Sequence, residues 1–406
     1  MRGLTRRQTD PGARPFPLSL DPLPDESLPG YLLRLSHRLG TTPSQLAIMT
    51  GLLPTPGIGH MYFQIPARFL INLCDTDRAA TFGLVTKLST EEVMGLTLAP
   101  LGARYGPLNL DVMRRDDLAY LAVHNPWVLT ASTRYCPECL AGDGSTIQEE
   151  LGGSWQRLWR LASVFACLEH RRMLIHECPG CRHPIHADLQ RSLIPRIGDA
   201  TLHPTQCRRT TGPISRRGVL PPVCGTQLSS ISTVKETKPL EPDLSLQRRL
   251  LELLTSVTDP RPMSAGMPVT SAEYFADLHL LAALVLLSWP HTRELNPDGG
   301  GGEAIAHEVD RRLAEVAENV VARGRKGTTL YWNHPPADST ACAAVLGIAE
   351  RLLGCDRPTA GQLIQQLLAA STKADPRSAN VIRLNNRCSP SLRSLLVRGS
   401  RGAVSE

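Results

Sequence analysis

No stretch of this 406-residue chain is long and apolar enough to cross a membrane. The longest apolar run, Leu280 to Trp289, is about half of the roughly 20 residues that a spanning helix needs. It follows Asp277 and His279, and so reads as a buried helix. The first residues, with Arg2, Arg6, Arg7 and Arg14 among Pro and Gly, lack the apolar core of a secretory signal. Common catalytic signatures are missing too. Gly324-Arg325-Lys326-Gly327-Thr328 lacks the glycine spacing of a phosphate-binding loop, and neither H-E-x-x-H nor G-x-S-x-G occurs. The eleven cysteines are unequally placed and mostly in metal spacing, which fits a reducing cytoplasm better than a disulfide framework. The expected location is therefore cytoplasmic, with no membrane partner.

What the chain does have is two ordered sets of metal-ligand residues in its middle. A C-x2-C pair on a tight turn can present two thiolates one tetrahedral edge apart, and a second pair from elsewhere closes the site. Cys136 and Cys139 are answered by Cys167 and His170, which share that spacing. Cys178 and Cys181 are answered by Cys207 and Cys224, a looser pair separated by an Arg-rich insertion. Buried free thiols would explain Cys74, Cys342, Cys355 and Cys388, which have no such partners. Eight ligands make two full tetrahedral sets, so two zinc ions are expected, both structural, because a catalytic zinc keeps one position for water. A nucleobase deaminase would need H-x-E ahead of P-C-x-x-C, and neither half is present.

Charge is concentrated in the same region. The whole chain has a net charge of +6, yet 156–225 holds eleven Arg against four acids. Arginine's planar fork suits phosphate, which makes Arg157, Arg160, Arg171, Arg172, Arg208, Arg209, Arg216 and Arg217 candidate DNA contacts. A solvated basic face is the plainer explanation.

At this length two to four domains are expected. The pattern predicts a mainly α chain with a helix-turn-helix-like unit at the N-terminus. A tandem zinc-ribbon or finger-like region follows, and then an all-helical C-terminal domain. The expected divisions are a disordered basic arm over 1–20, a helical region over 21–130 and the zinc region over 131–228. A linker at 229–243, helices at 244–372 and a basic tail at 373–406 complete the chain. In the helix-turn-helix at 27–53, Ser27 caps a first helix bearing Leu28, Leu32, Leu35 and Leu39, and Gly40 ends it. Thr42-Pro43-Ser44-Gln45 is a capping box that opens the second. Thr42 to Leu53 contains no Arg or Lys, so the unit suits a protein partner better than base edges, and core packing explains its leucines equally well. Tyr31, Arg34, Arg38 and Gln45 are the candidate partner contacts.

Between 55 and 130, helical segments are expected near Ala67 to Cys74, Ala79 to Leu88, Thr90 to Leu98 and Leu108 to His124. C-terminal helices are expected over Leu244 to Val257, Ser271 to Trp289, Glu303 to Arg323, Thr340 to Leu353 and Pro358 to Ala370. From Lys373 to Arg401 seven basic residues face Asp375 alone, the balance of a tail that binds nucleic acid or an acidic partner.

Taken together, these residues resemble the TniQ family, which includes the TnsD-type target selectors of DNA transposons. The likeness rests on Pro22-Leu23-Pro24-Asp25-Glu26-Ser27-Leu28, Tyr31-Leu32-Leu33-Arg34-Leu35 and Gly40 at the front. It continues through Arg134-Tyr135-Cys136-Pro137-Glu138-Cys139-Leu140, Trp159-Arg160-Leu161, Cys167-Leu168-Glu169-His170, Leu174 and Cys178-Pro179-Gly180-Cys181. The spacing from Cys207 to Cys224 departs from the compact closing C-x-C-G usual in the family. The resemblance implies a non-catalytic adaptor that helps choose the insertion target and recruits an AAA+ ATPase of the TnsC or TniB kind to double-stranded DNA. Some relatives bind an attachment site directly, others dock on a CRISPR effector complex, and a homodimer is compatible with either. The alternative function is a zinc-dependent DNA-binding transcriptional regulator, and an unrecognised nucleic-acid-processing enzyme is the third.

Overall fold

The computed structural model describes residues 14–54, 64–73, 76–108, 126–186, 193–195, 198–212, 222–230, 238–295, 300–323, 334–384 and 387–398. The fold is mainly helical, with two short antiparallel hairpins among the described residues. The segment expected as a helix from Leu108 to His124 lies almost wholly outside the described residues, as do Cys74 and the middle of the expected linker.

Helix α1 (Leu28–Arg38) opens where the sequence placed it. Ser27 Oγ accepts from the Gly30 amide at 3.2 Å, and Leu28, Tyr31, Leu32 and Leu35 are fully buried. Gly40, at φ +60°, makes the tight turn into α2 (Pro43–Met49), whose Thr42 and Gln45 form the reciprocal capping box. Three shorter helices follow: α3 (Arg68–Ile71), α4 (Thr76–Thr86) and α5 (Thr90–Gly95). They give Phe69, Leu70, Phe82 and Val93 to the core around α1. The expected disordered arm is packed in its described part. Phe16 and Leu20 are buried, and the Phe16 amide donates to the Val85 carbonyl at 2.9 Å.

In the C-terminal part, α8 (Glu241–Thr255), α9 (Ser271–Leu287), α10 (Gly302–Arg323), α11 (Ser339–Gly354) and α12 (Arg357–Ala374) match the expected helices to within a few residues. Helix α9 carries the longest apolar run and is buried nearly all round, as a central helix must be. Its Asp277 is a buried node. Its carboxylate accepts from Ser264 Oγ at 2.6 Å, Ser389 Oγ at 2.6 Å and the Ser389 amide at 2.7 Å. The stretch expected as a basic tail folds back to that node as α13 (Pro376–Arg383) and α14 (Pro390–Arg398), burying Ile382, Leu392, Leu395 and Leu396. Apolar residues at helical spacing between its basic ones give it a core contact that a charge count overlooks. No helix among the described residues is long and apolar enough to cross a membrane.

Candidate metal centres

Between these helical parts the chain is organised by short turns that deliver thiols. Cys136 precedes α6 (Pro137–Ala141), which brings Cys139 back within its first turn. After α7 (Thr146–Leu151), strands β1 (Ala166–Cys167) and β2 (Arg172–Met173) form a hairpin whose connection carries His170. Paired hydrogen bonds between Tyr135 and Ile175, at 2.9 and 2.8 Å, hold the two halves together. Gly153 passes so close to the Cys139 carbonyl that a Cβ there would collide with it.

The four donors of Cys136, Cys139, Cys167 and His170 lie within 4.8 Å of one another. Cys139 Sγ is 3.7 Å from Cys167 Sγ, and His170 Nδ1 is 3.3 to 3.6 Å from the three sulfurs. An ion with metal–sulfur bonds of about 2.3 Å sets tetrahedral sulfurs about 3.8 Å apart, and a sulfur and an imidazole nitrogen about 3.6 Å apart. The cluster has that shape and can hold a metal ion through His170 Nδ1.

The second set, Cys178, Cys181, Cys207 and Cys224, also gathers within 4.8 Å. Cys178 lies 3.7 Å from Cys224, and Cys181 lies 3.8 Å from Cys207, sulfur to sulfur. Cys207, the loosest by spacing, is brought in by a short antiparallel ladder. Its amide donates to the Thr226 carbonyl at 2.9 Å, the Gly225 amide donates back to it at 3.0 Å, and the Cys224 amide donates to Arg209 at 2.8 Å. Burial raises the thiols of Cys181 and Cys207. Four thiols this close cannot all ionise by themselves, and a divalent cation offsets that repulsion.

Several residues around the ligands carry no signal in the ligand spacing. Gln156 Nε2 reaches Cys139 Sγ at 3.9 Å while its backbone pairs with Glu26 near the start of α1. Thr226 Oγ1 lies 3.0 Å from Cys224 Sγ. Glu138 stands 3.8 Å from Cys136 Sγ and pairs with Arg172 at 3.1 Å. No spacing rule marks such neighbours, although Glu138 lies inside the first C-x2-C pair.

The arginines divide in a way that corrects the expected DNA-facing row. Arg160, Arg172 and Arg208 are buried, and they serve as internal struts. Arg160 donates to the carbonyls of Thr130 and Ala131, and Arg208 to those of Pro195 and Asp199. Arg157 is mostly covered and binds the Gly95 carbonyl and Asp25. Arg171 remains exposed beside Glu241 at 2.6 Å, and Arg209 is half-buried. Arg216 and Arg217 lie outside the described residues.

The expected partner contacts divide similarly. Tyr31 is fully buried and donates to the Leu20 carbonyl at 3.0 Å. Arg34 is buried against Glu26 at 2.8 Å. A helix start covered by other elements turns both side chains inward. Gln45 is exposed but engaged in the α2 cap, and Arg38 is half-exposed.

Residues 17–174 match the TniQ family model. The match marks a TniQ domain over that stretch of the chain. No curated protein matches the chain. The TniQ match runs from just before α1 to just past β2, so it contains all four ligands of the first centre and none of the second. The TniQ family implies a transposition-associated adaptor role.

Proposed function

We propose that this TniQ-domain chain is a non-catalytic, cytoplasmic adaptor that helps select a transposon's insertion target and recruits an AAA+ ATPase to that DNA. The family match over 17–174 carries this reading. Two zinc ions fill the donor sets, Cys136, Cys139, Cys167 and His170 in one and Cys178, Cys181, Cys207 and Cys224 in the other. Four protein ligands each leave no coordination position for a reacting water, so the ions act as scaffold.

Double-stranded DNA then meets exposed cations such as Arg171 and Arg182 beside the centres, and Lys373, Arg377 and Arg393 on the C-terminal helices. The α1–α2 pair is a helix-turn-helix used for protein contact. It offers Arg38, Gln45 and Met49, the last 53% exposed, to the ATPase or to a target-selecting complex such as a CRISPR effector.

Pull-down of an AAA+ transposition ATPase of the TnsC or TniB kind, with and without DNA, tests the reading. Capture of the ATPase that strengthens with DNA supports it. Retention of DNA with the ATPase left unbound would favour the zinc-dependent regulator. Metal-dependent strand cleavage by the chain alone would overturn the non-catalytic assignment.

A further inference from the structure

Under the start of α1 lies a cleft lined by Ser27, Gly30, Trp155, Gln156, Arg160 and His186, with about 310 Å³ of free space including its open mouth. Two of these side chains are deeply buried, Arg160 at 6% and His186 at 8% exposure. Arg160 Nη2 spends its hydrogens on the Thr130 and Ala131 carbonyls, at 3.2 and 3.0 Å. Among the described residues its Nε and Nη1 have no hydrogen-bond partner, and neither does His186 Nε2. Two donors and an imidazole nitrogen are thus left over at one cleft.

Charge is unbalanced there as well. Among the other buried arginines, Arg34 pairs with Glu26, Arg172 with Glu138 and Arg312 with Glu308, while Arg134 and Arg208 donate to carbonyls. Among the described residues Arg160 pairs with no carboxylate, and burial pulls its guanidinium down to about 10. His186, against Trp155 at 4.6 Å between ring centres, cannot supply the missing charge. Burial and the charges of Arg160 and Arg208 bring it down to about 3, so it is neutral at pH 7. A neutral imidazole with hydrogen on Nε2 is a further donor.

We propose that this cleft binds one small inorganic monoanion of the halide class, held by Arg160 Nε and Nη1 and by His186 Nε2, between helix α1 and the metal-binding region. A water could accept from two of these donors but would leave the buried charge uncompensated. The interior has room for about one solvent-sized species, which excludes a phosphate or a nucleotide. The ion is structural, and it completes the joint at which the Ser27 amide donates to the Trp155 carbonyl at 2.8 Å.

The test is bromide soaked into crystals of the full, metal-loaded chain, read by anomalous scattering. A bromide peak within hydrogen-bond reach of Arg160 and His186 is expected. No peak there, or a water in its place, would overturn the site. In solution at fixed ionic strength, the melting temperature should rise saturably with chloride or bromide and not with gluconate. Arg160→Gln should abolish the halide-specific part, and an equal response in that variant would overturn the proposal. If Arg160→Gln does not fold, the bromide experiment on the unaltered chain decides.

Discussion

The guanidinium of Arg134, two residues before the first metal ligand, donates from Nη2 to the carbonyl of Pro336 at 2.7 Å. Its Nε reaches Ala337 at 3.2 Å, and its Nη1 reaches Val164 at 2.6 Å. One side chain therefore joins the first centre to the segment that leads into α11. Gln247 of α8 reinforces the joint by accepting from the Phe165 and Ala166 amides, at 2.7 and 3.0 Å, just ahead of Cys167.

Arg134→Met should lower stability by about 3 kcal/mol or more, since each buried carbonyl left unpaired costs about 1–3 kcal/mol. Arg134→Lys should recover only part of it, because an ammonium cannot reproduce the planar fork. Urea unfolding of both variants measures this, and unchanged midpoints would remove Arg134 as a strut.

His279 of α9 predicts acid sensitivity. It is fully buried, stacks on Trp127 at 4.6 Å, and has neither ring nitrogen hydrogen-bonded. Burial depresses it to about 3. A depressed value means stability present above pH ~6.5 and lost as pH falls toward 3, about 2 kcal/mol at pH 5. His279→Phe keeps the stacking and cannot ionise, so its stability loss between pH 7 and 5 should be smaller than the wild type's by about that amount. Parallel curves would refute the assignment.

Arginines that look alike in the sequence should differ in experiment. Arg171→Ala with Arg182→Ala should weaken DNA binding and flatten its salt dependence, by about 0.9 in log–log slope for each phosphate no longer neutralised. Arg208→Ala should lower the melting temperature and leave the slope unchanged, because its guanidinium faces the carbonyls of Pro195 and Asp199. A slope change in Arg208→Ala alone would reverse this division.

The two centres should also respond separately. Cys136→Ser should cost one zinc and Cys178→Ser the other, each with reduced solubility, since structural zinc supplies folding energy. Metal content of the purified variants checks this. Loss of both ions from either variant would show one cooperative unit in place of two centres.

The ligand sets, the Ser27 and Thr42 caps and the C-terminal helices are legible in the sequence because each is written in local spacing. Cys207 is legible only by order, because a ladder with Thr226, remote from it in sequence, brings its sulfur home. The arginines mislead because charge counting cannot tell a guanidinium that meets water from one that folds back on carbonyls. Tyr31 and Arg34 mislead for a related reason. Tyr31 lies on the apolar face with the leucines, and a helical wheel does not show that Leu20 and Glu26 cover Tyr31 and Arg34. The packing of α13 and α14 is hidden under their basic residues.

Two clusters that could each hold a metal ion, one inside the TniQ match and one beyond it, are the scaffold on which the proposed function rests. Their most direct test is the metal content of the full-length chain, purified without chelator, by elemental mass spectrometry against protein concentration. Two zinc ions per chain are predicted, and fewer than one per chain would contradict the two-centre scaffold.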